Sequence, residues 1–190
     1  MLSVNASGDV ILVNDSSVLG TDVIATKTSG LAAAMSNTAQ VVIFNTETQD
    51  INAGHNAATG VYTTPTGAND TYTIEAQLGF TIPNANARTP CIAIRRAGVI
   101  IVSSCNSDYN DTGGGSTGGR TSVSATATFA LTAGQTVDVV TYTETNPATG
   151  TVPTFSTTAG TNYLTIKRVG NAALVTSDER LKKEIQDFTL

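Results

Sequence analysis

The chain is predicted to be all-β, a sandwich or barrel of short antiparallel strands. Helical periodicity is almost absent before residue 170. Apolar and polar residues alternate instead, and clusters of Gly, Asn, Pro and Asp interrupt the alternating runs. Period-two alternation sends successive side chains to opposite faces of a strand, so each run can bury one face and wet the other.

The elements follow in order. Asp9 to Val13 reads as a strand with a turn at each end, and Leu31 to Met35 as a short helical or linker turn. Residues 1–39 hold too few apolar side chains for a core of their own, so they are expected to form a neck or shaft. Strands are then expected at Val41 to Asn45, Gly60 to Tyr62 and Asp70 to Phe80. Cys91 to Arg95 and Val99 to Ser104 flank Arg96-Ala97-Gly98, where glycine makes a reversal with positive φ sterically cheap. Ser122 to Leu131 and Thr136 to Tyr142 are joined in the same way through Gly134, and Tyr163 to Arg168 closes the series. Asp111 to Gly119 holds too many glycines to keep one shape and is read as a surface loop. It is no phosphate cradle, because no Lys-Ser/Thr follows it.

Composition narrows the function. A chain of 190 residues can bury roughly 70% of its unfolded surface without a metal or disulfide. It has no Trp, so the core must come mainly from Val, Ile, Leu and Ala. The net charge of -5 disfavours nucleic acid, which needs clustered Lys and Arg. No apolar run approaches the ~20 residues of a membrane span, and Met1 to Asn5 shows no basic start leading to an apolar stretch. Val99 to Val102 and Val137 to Val140 are apolar on both faces, or nearly so. Strands of that kind need cover on the second face as well, from a partner chain or from loops of the same chain.

Two resemblances sharpen these expectations. Asn52-Ala53-Gly54, Thr59-Gly60-Val61-Tyr62-Thr63-Thr64-Pro65 and Gly67 with Asp70-Thr71-Tyr72-Thr73-Ile74 occur in that order. Ile92 to Val99, Leu131 to Val137 and Tyr163 to Ile166 follow. Together, over Gln40 to Arg168, they resemble the globular head of the complement and tumour-necrosis-factor superfamily. The resemblance implies a jelly-roll β-sandwich that assembles as a homotrimer. Ile74 stands where an aromatic is commoner, and Gln135 where an acidic residue is usual. At the C-terminus, Ser177-Asp178-Glu179-Arg180-Leu181-Lys182 resembles the opening of the intramolecular chaperone domain of bacteriophage tail fibres and tailspikes, of the endosialidase type. The expected organisation is a neck (1–39), a jelly-roll head (40–169), and a linker with a helical chaperone stub (170–190). In that stub Leu181, Ile185 and Phe188 fall on one apolar stripe behind a Ser177 N-cap.

The resemblances also set the functional expectation. The chain would be a tail-fibre tip protein of the virion, assembled in the host cytoplasm. Its partners would be other tail proteins and a bacterial surface glycan or outer-membrane receptor. A purely structural collar or decoration protein is the alternative. Ser177 and Lys182 match the chaperone family's self-cleavage pair. A serine hydroxyl needs a base of lowered pKa to become nucleophilic, and without the chaperone body nothing desolvates Lys182. No cleavage and no other enzymatic activity is expected. Cytoplasmic assembly favours free thiols at Cys91 and Cys105 over a cross-strand disulfide. The residues expected to contact a receptor are Asp108, Tyr109, Asn110, Asp111, Arg120 and Asn146, all in or beside long polar loops.

Other residues point to no chemistry. His55, the one histidine, is expected to be a solvated turn residue. Glu47, Glu75 and Glu144 are scattered, with nothing to pair two of them for glycoside hydrolysis. Asn69 with Asp70, and Asp108 with Asn110 and Asp111, lack the spacing of a calcium loop and are read as turns. No metal or cofactor is expected.

Overall fold

A computed structural model describes residues 2–4, 10–12, 20–31, 33–82, 88–106, 119–144 and 151–170. Among these there are fourteen strands and no helix. They are β1 (Leu2–Val4), β2 (Val10–Leu12), β3 (Gly20–Thr26), β4 (Gln40–Val41), β5 (Thr46–Asp50), β6 (His55–Asn56) and β7 (Val61–Thr63). Then come β8 (Asp70–Ile82), β9 (Pro90–Arg96), β10 (Val99–Cys105), β11 (Gly119–Leu131), β12 (Thr136–Thr143), β13 (Thr154–Phe155) and β14 (Tyr163–Arg168). The short pair β1–β2 stands as a sheet of its own. The rest form two six-stranded antiparallel sheets. One runs β10-β9-β12-β7-β6, with β4 also paired to β12. The other runs β11-β8-β14-β3-β5, with β13 also paired to β8.

The core lies between these sheets, and the alternation in the sequence builds it. Tyr72, Ile74, Ala76 and Leu78 of β8 point inward and are buried, while Thr71, Thr73, Glu75 and Gln77 between them face out. Val123, Ala125 and Ala127 of β11, Ile92 and Ile94 of β9, and Val137 and Val139 of β12 complete the two inner faces. Full burial of a Leu, Ile or Phe side chain contributes about 1.5–3 kcal/mol, so these rows dominate the stability. The β9–β10 reversal occurs where predicted: Ala97 (φ 48°) and Gly98 (φ 79°) both adopt positive φ, as a tight hairpin turn requires.

Three expectations change. Gly20–Thr26, expected in the neck, is hydrogen-bonded between β14 and β5. The expected boundary at residue 39 therefore falls inside the packed unit. The strand was hard to read because it gives the core only Val23 and Ala25, beside a buried Asp22. Val41 to Asn45 is strand only at its start, although Val42 and Phe44 still point into the core. The two doubly apolar runs also part company. Val137, Val139 and Val140 are all sheltered within this one chain, Val140 lying between Val41 and Ala93 in register. Val99, Ile100 and Ile101 remain 66%, 50% and 41% exposed, beside a register shift between Ile100 and Val102. The expected stub lies outside the described residues from 171 onward.

Candidate functional site

Of the residues expected to meet a receptor, Arg120 is described. Asp108, Tyr109, Asn110, Asp111 and Asn146 lie outside the described residues, as do Ser177 and Lys182. What the structure does describe is the sandwich edge from which the 107–118 segment departs. Cys91 and Cys105 stand directly opposite each other on β9 and β10. They form a disulfide, with Cα atoms 4.1 Å apart. This corrects the expectation of free thiols: the antiparallel register brings the two sulfurs together. Next along the chain, Asn106 ties the sheets to each other. Its Nδ2 donates to Thr121 Oγ1 at 2.7 Å and to the Ser122 carbonyl at 3.2 Å, and its backbone N–H donates to Pro90 O at 3.2 Å.

Arg120 is the second residue of β11 and faces the connection between β13 and β14. That connection is folded by its own polar groups. Ser156 N–H donates to Gly79 O at 2.7 Å, and Thr158 N–H donates to Ser156 Oγ at 3.1 Å. Thr161 Oγ1 donates back to Thr158 O at 2.8 Å. Asn162 fastens the whole turn to β8: its Oδ1 accepts from Gly79 N–H and its Nδ2 donates to Ser156 O, both at 2.9 Å. Gly79 is required by this docking. A Cβ there would stand 2.7 Å from Thr161 Oγ1 and 3.0 Å from Ser156 Cβ.

Two open clefts of about 290 Å³ result, one on each side of this turn. Arg120, Thr121, Ser122, Ser156, Thr158 and Thr161 line the first over a floor at Gly79. Arg120 Nη1 donates to Thr158 Oγ1 at 3.0 Å. The second is bounded by Lys27, Thr28, Leu31, Thr157, Thr158 and Asn162. Lys27 is half-buried, and its ammonium lies 4.9 Å from the centre of the Phe155 ring. Burial pulls its pKa below the ordinary lysine value. Thr158 belongs to both clefts, and among the described residues no carboxylate lines either. In a chain with 15 acidic and 10 basic residues, the described lining is cationic and rich in hydroxyl residues, which suits an anion that also offers hydroxyls.

The polar residues at other positions are used by the fold. His55 is buried on β6, not solvated, and its Nδ1 lies 2.6 Å from Glu47 Oε1. Its position opposite Tyr62 on β7 places it inside the sheet. Asp70 accepts from Thr71 N–H and from Arg168 Nε at 2.9 Å, and Asn69 Oδ1 accepts from Ala133 N–H at 2.6 Å. Glu75 accepts from the Tyr163 hydroxyl. Among the described residues the one group of three potential metal ligands is Cys91, Cys105 and Glu144, and the disulfide occupies both sulfurs.

Of the residues lining the clefts, Arg120 is among those expected from the sequence to meet a receptor, and Lys27, Ser156, Thr158 and Thr161 are not. One local signal was present, a glycine between Leu78 and Phe80 in an alternating strand, which marks close approach of another segment.

No family model and no curated protein matches this chain. Solved structures do. Murine APRIL, of the tumour-necrosis-factor family, is 11% identical, with 78% of this chain and 98% of that chain covered and a TM-score of 0.54. The globular domain of zebrafish complement 1qA protein is 17% identical over 78% of this chain and 94% of that one, with a TM-score of 0.47. The chain thus has a jelly-roll fold like that of APRIL. At these identities the likeness speaks for the fold alone.

Proposed function

We propose that this chain is the attachment head of a bacteriophage tail fibre, acting as a homotrimer that presents the Arg120 end of its sandwich to a bacterial surface. The observation that carries the reading is the double clamp at that end. The Cys91–Cys105 disulfide and the Asn106 hydrogen bonds hold both roots of the 107–118 segment on rigid strands, beside a cleft that among the described residues is lined by Arg120 and hydroxyl side chains. A recognition loop needs such a scaffold to hold a contact surface in place. Asp108, Tyr109, Asn110, Asp111 and Asn146 join the proposal on their sequence alone. The phage assignment rests on the chaperone-like residues Ser177 to Lys182. Trimerisation is supported by the complement and tumour-necrosis-factor resemblance and by the exposed Val99-Ile100-Ile101 strip, an apolar surface for a neighbouring copy to cover.

The test is binding of the labelled protein to a panel of bacteria, followed by competition with phage on any strain that stains. Staining with blocked adsorption supports an attachment head. A purely structural collar or decoration protein stains no strain and blocks nothing. Replacing Asp111 to Gly119 with a short turn is expected to leave the oligomer intact and change adsorption. Unchanged adsorption would remove that loop from the contact surface.

A further inference from the structure

The two clefts have features that an attachment surface in general does not require. Lys27 is half-buried over an aromatic ring, and no carboxylate lies within ion-pair distance of it among the described residues. A partly desolvated ammonium is costly unless an anion compensates it, and a ring face does so only in part. Arg120 is likewise without a carboxylate among the described residues. Its one guanidinium contact given by the structure is the neutral Thr158 hydroxyl, which leaves donors free. By contrast Arg95 and Arg168, elsewhere on the sandwich, have Asp138 and Asp70 as partners.

Size and lining narrow the ligand. Each cleft, at about 290 Å³, lies at the lower limit of small-molecule sites, which begin near ~300 Å³. That suits one sugar ring each better than an extended peptide. Thr158 forms the common wall, so one ligand chain crossing the turn can enter both. The first cleft is lined by the hydroxyl-bearing residues Thr121, Ser122, Ser156, Thr158 and Thr161, of which Thr121 accepts from Asn106 through its hydroxyl. The second adds the apolar side chain of Leu31 and further threonines. Hydroxyls that donate and accept, an apolar wall and one cation per cleft complement a sugar ring bearing an acidic group.

We propose that the paired clefts bind adjacent residues of an acidic polysaccharide, Arg120 holding the anionic group of one sugar and Lys27 that of the next. Thr158 lies between the two rings and positions both. The assignment rests on the attachment reading but names its ligand class. It involves no covalent step.

The experiment is titration calorimetry of the full chain with short oligouronates, the carboxyl-reduced forms of the same oligosaccharides, and a sulfated glycosaminoglycan fragment. The expected result is binding of the oligouronate that weakens with salt, and loss of about tenfold or more in affinity on carboxyl reduction, the scale of one charge-assisted contact. Arg120→Gln and Lys27→Gln should each cost about tenfold. Because Lys27 packs on Phe155, Lys27→Arg serves as the folded control and should keep most of the affinity. Binding of the sulfated fragment alone would overturn the carboxylate assignment and leave an anion site for sulfate. Equal affinity for the carboxyl-reduced ligand, or no binding of any acidic oligosaccharide at millimolar concentration, would overturn the proposal outright. Cell staining separates the two levels. If Arg120→Gln stains cells as the parent does, attachment stands and this ligand falls. If oligouronates bind but no cell stains, the ligand stands and attachment falls.

Discussion

Gly79 and Asn162 together hold the turn that makes the clefts. Gly79→Ala is expected to destabilise the protein by about 1–3 kcal/mol, because the added methyl meets Thr161 and Ser156 in a closely packed place. Asn162→Ala should cost at least as much. It leaves the Gly79 N–H and the Ser156 carbonyl without partners, at about 1–3 kcal/mol for each buried group left unsatisfied. Denaturant midpoints of both variants check this, and values equal to the parent's would mean that the turn is held by something else. Asp22 carries the pH dependence that the structure supports. Burial raises its pKa above the ordinary 3.8, more than Arg168 lowers it. Its folded state therefore keeps the proton to higher pH than the unfolded state does. The stability this gives is complete below 3.8 and is lost as pH rises through the folded value. Relative to Asp22→Asn, the parent should lose stability as pH climbs from 3.8, and a constant difference across that range would contradict the sign.

At the scale of elements, the long alternating strands were legible because each carries its own evidence. β8 has apolar residues at every second position from Tyr72 to Ile82, and β11 from Val123 to Leu131. β3 was not legible. Val23 and Ala25 are a weak apolar signal, and the strand becomes intelligible only between β14 and β5. The same limit applied to the site. Arg120 could be chosen from its neighbouring glycine-rich run, whereas Lys27 reaches Phe155 only through tertiary packing. For the two cysteines, strand register decides where compartment does not. With β9 and β10 paired, Cys91 and Cys105 face each other whatever the source of the chain. The disulfide closes a loop with a sequence separation of 14. A loop of that length is worth about 3 kcal/mol through restriction of the unfolded chain. Reduction, or Cys91→Ser with Cys105→Ser, should therefore lower the melting temperature clearly while the hairpin persists through Gly98. No change in melting on reduction would show that the bridge does not form in solution.

For the whole molecule, one chain covers more of itself than its sequence promised. Val137, Val139 and Val140 of β12 are buried within a single subunit, whereas the Val99-Ile100-Ile101 strip stays exposed. Ile100→Lys places a charge on that strip without touching the core. If the strip is an interface, the substitution should weaken self-association and leave the monomer fold intact; unchanged assembly would locate the interface on another face. The most direct measurement is the mass of the parent protein in solution by sedimentation equilibrium at micromolar concentration. A trimeric head gives three times the 19.5 kDa chain mass. A single 19.5 kDa species across the concentration range would contradict it.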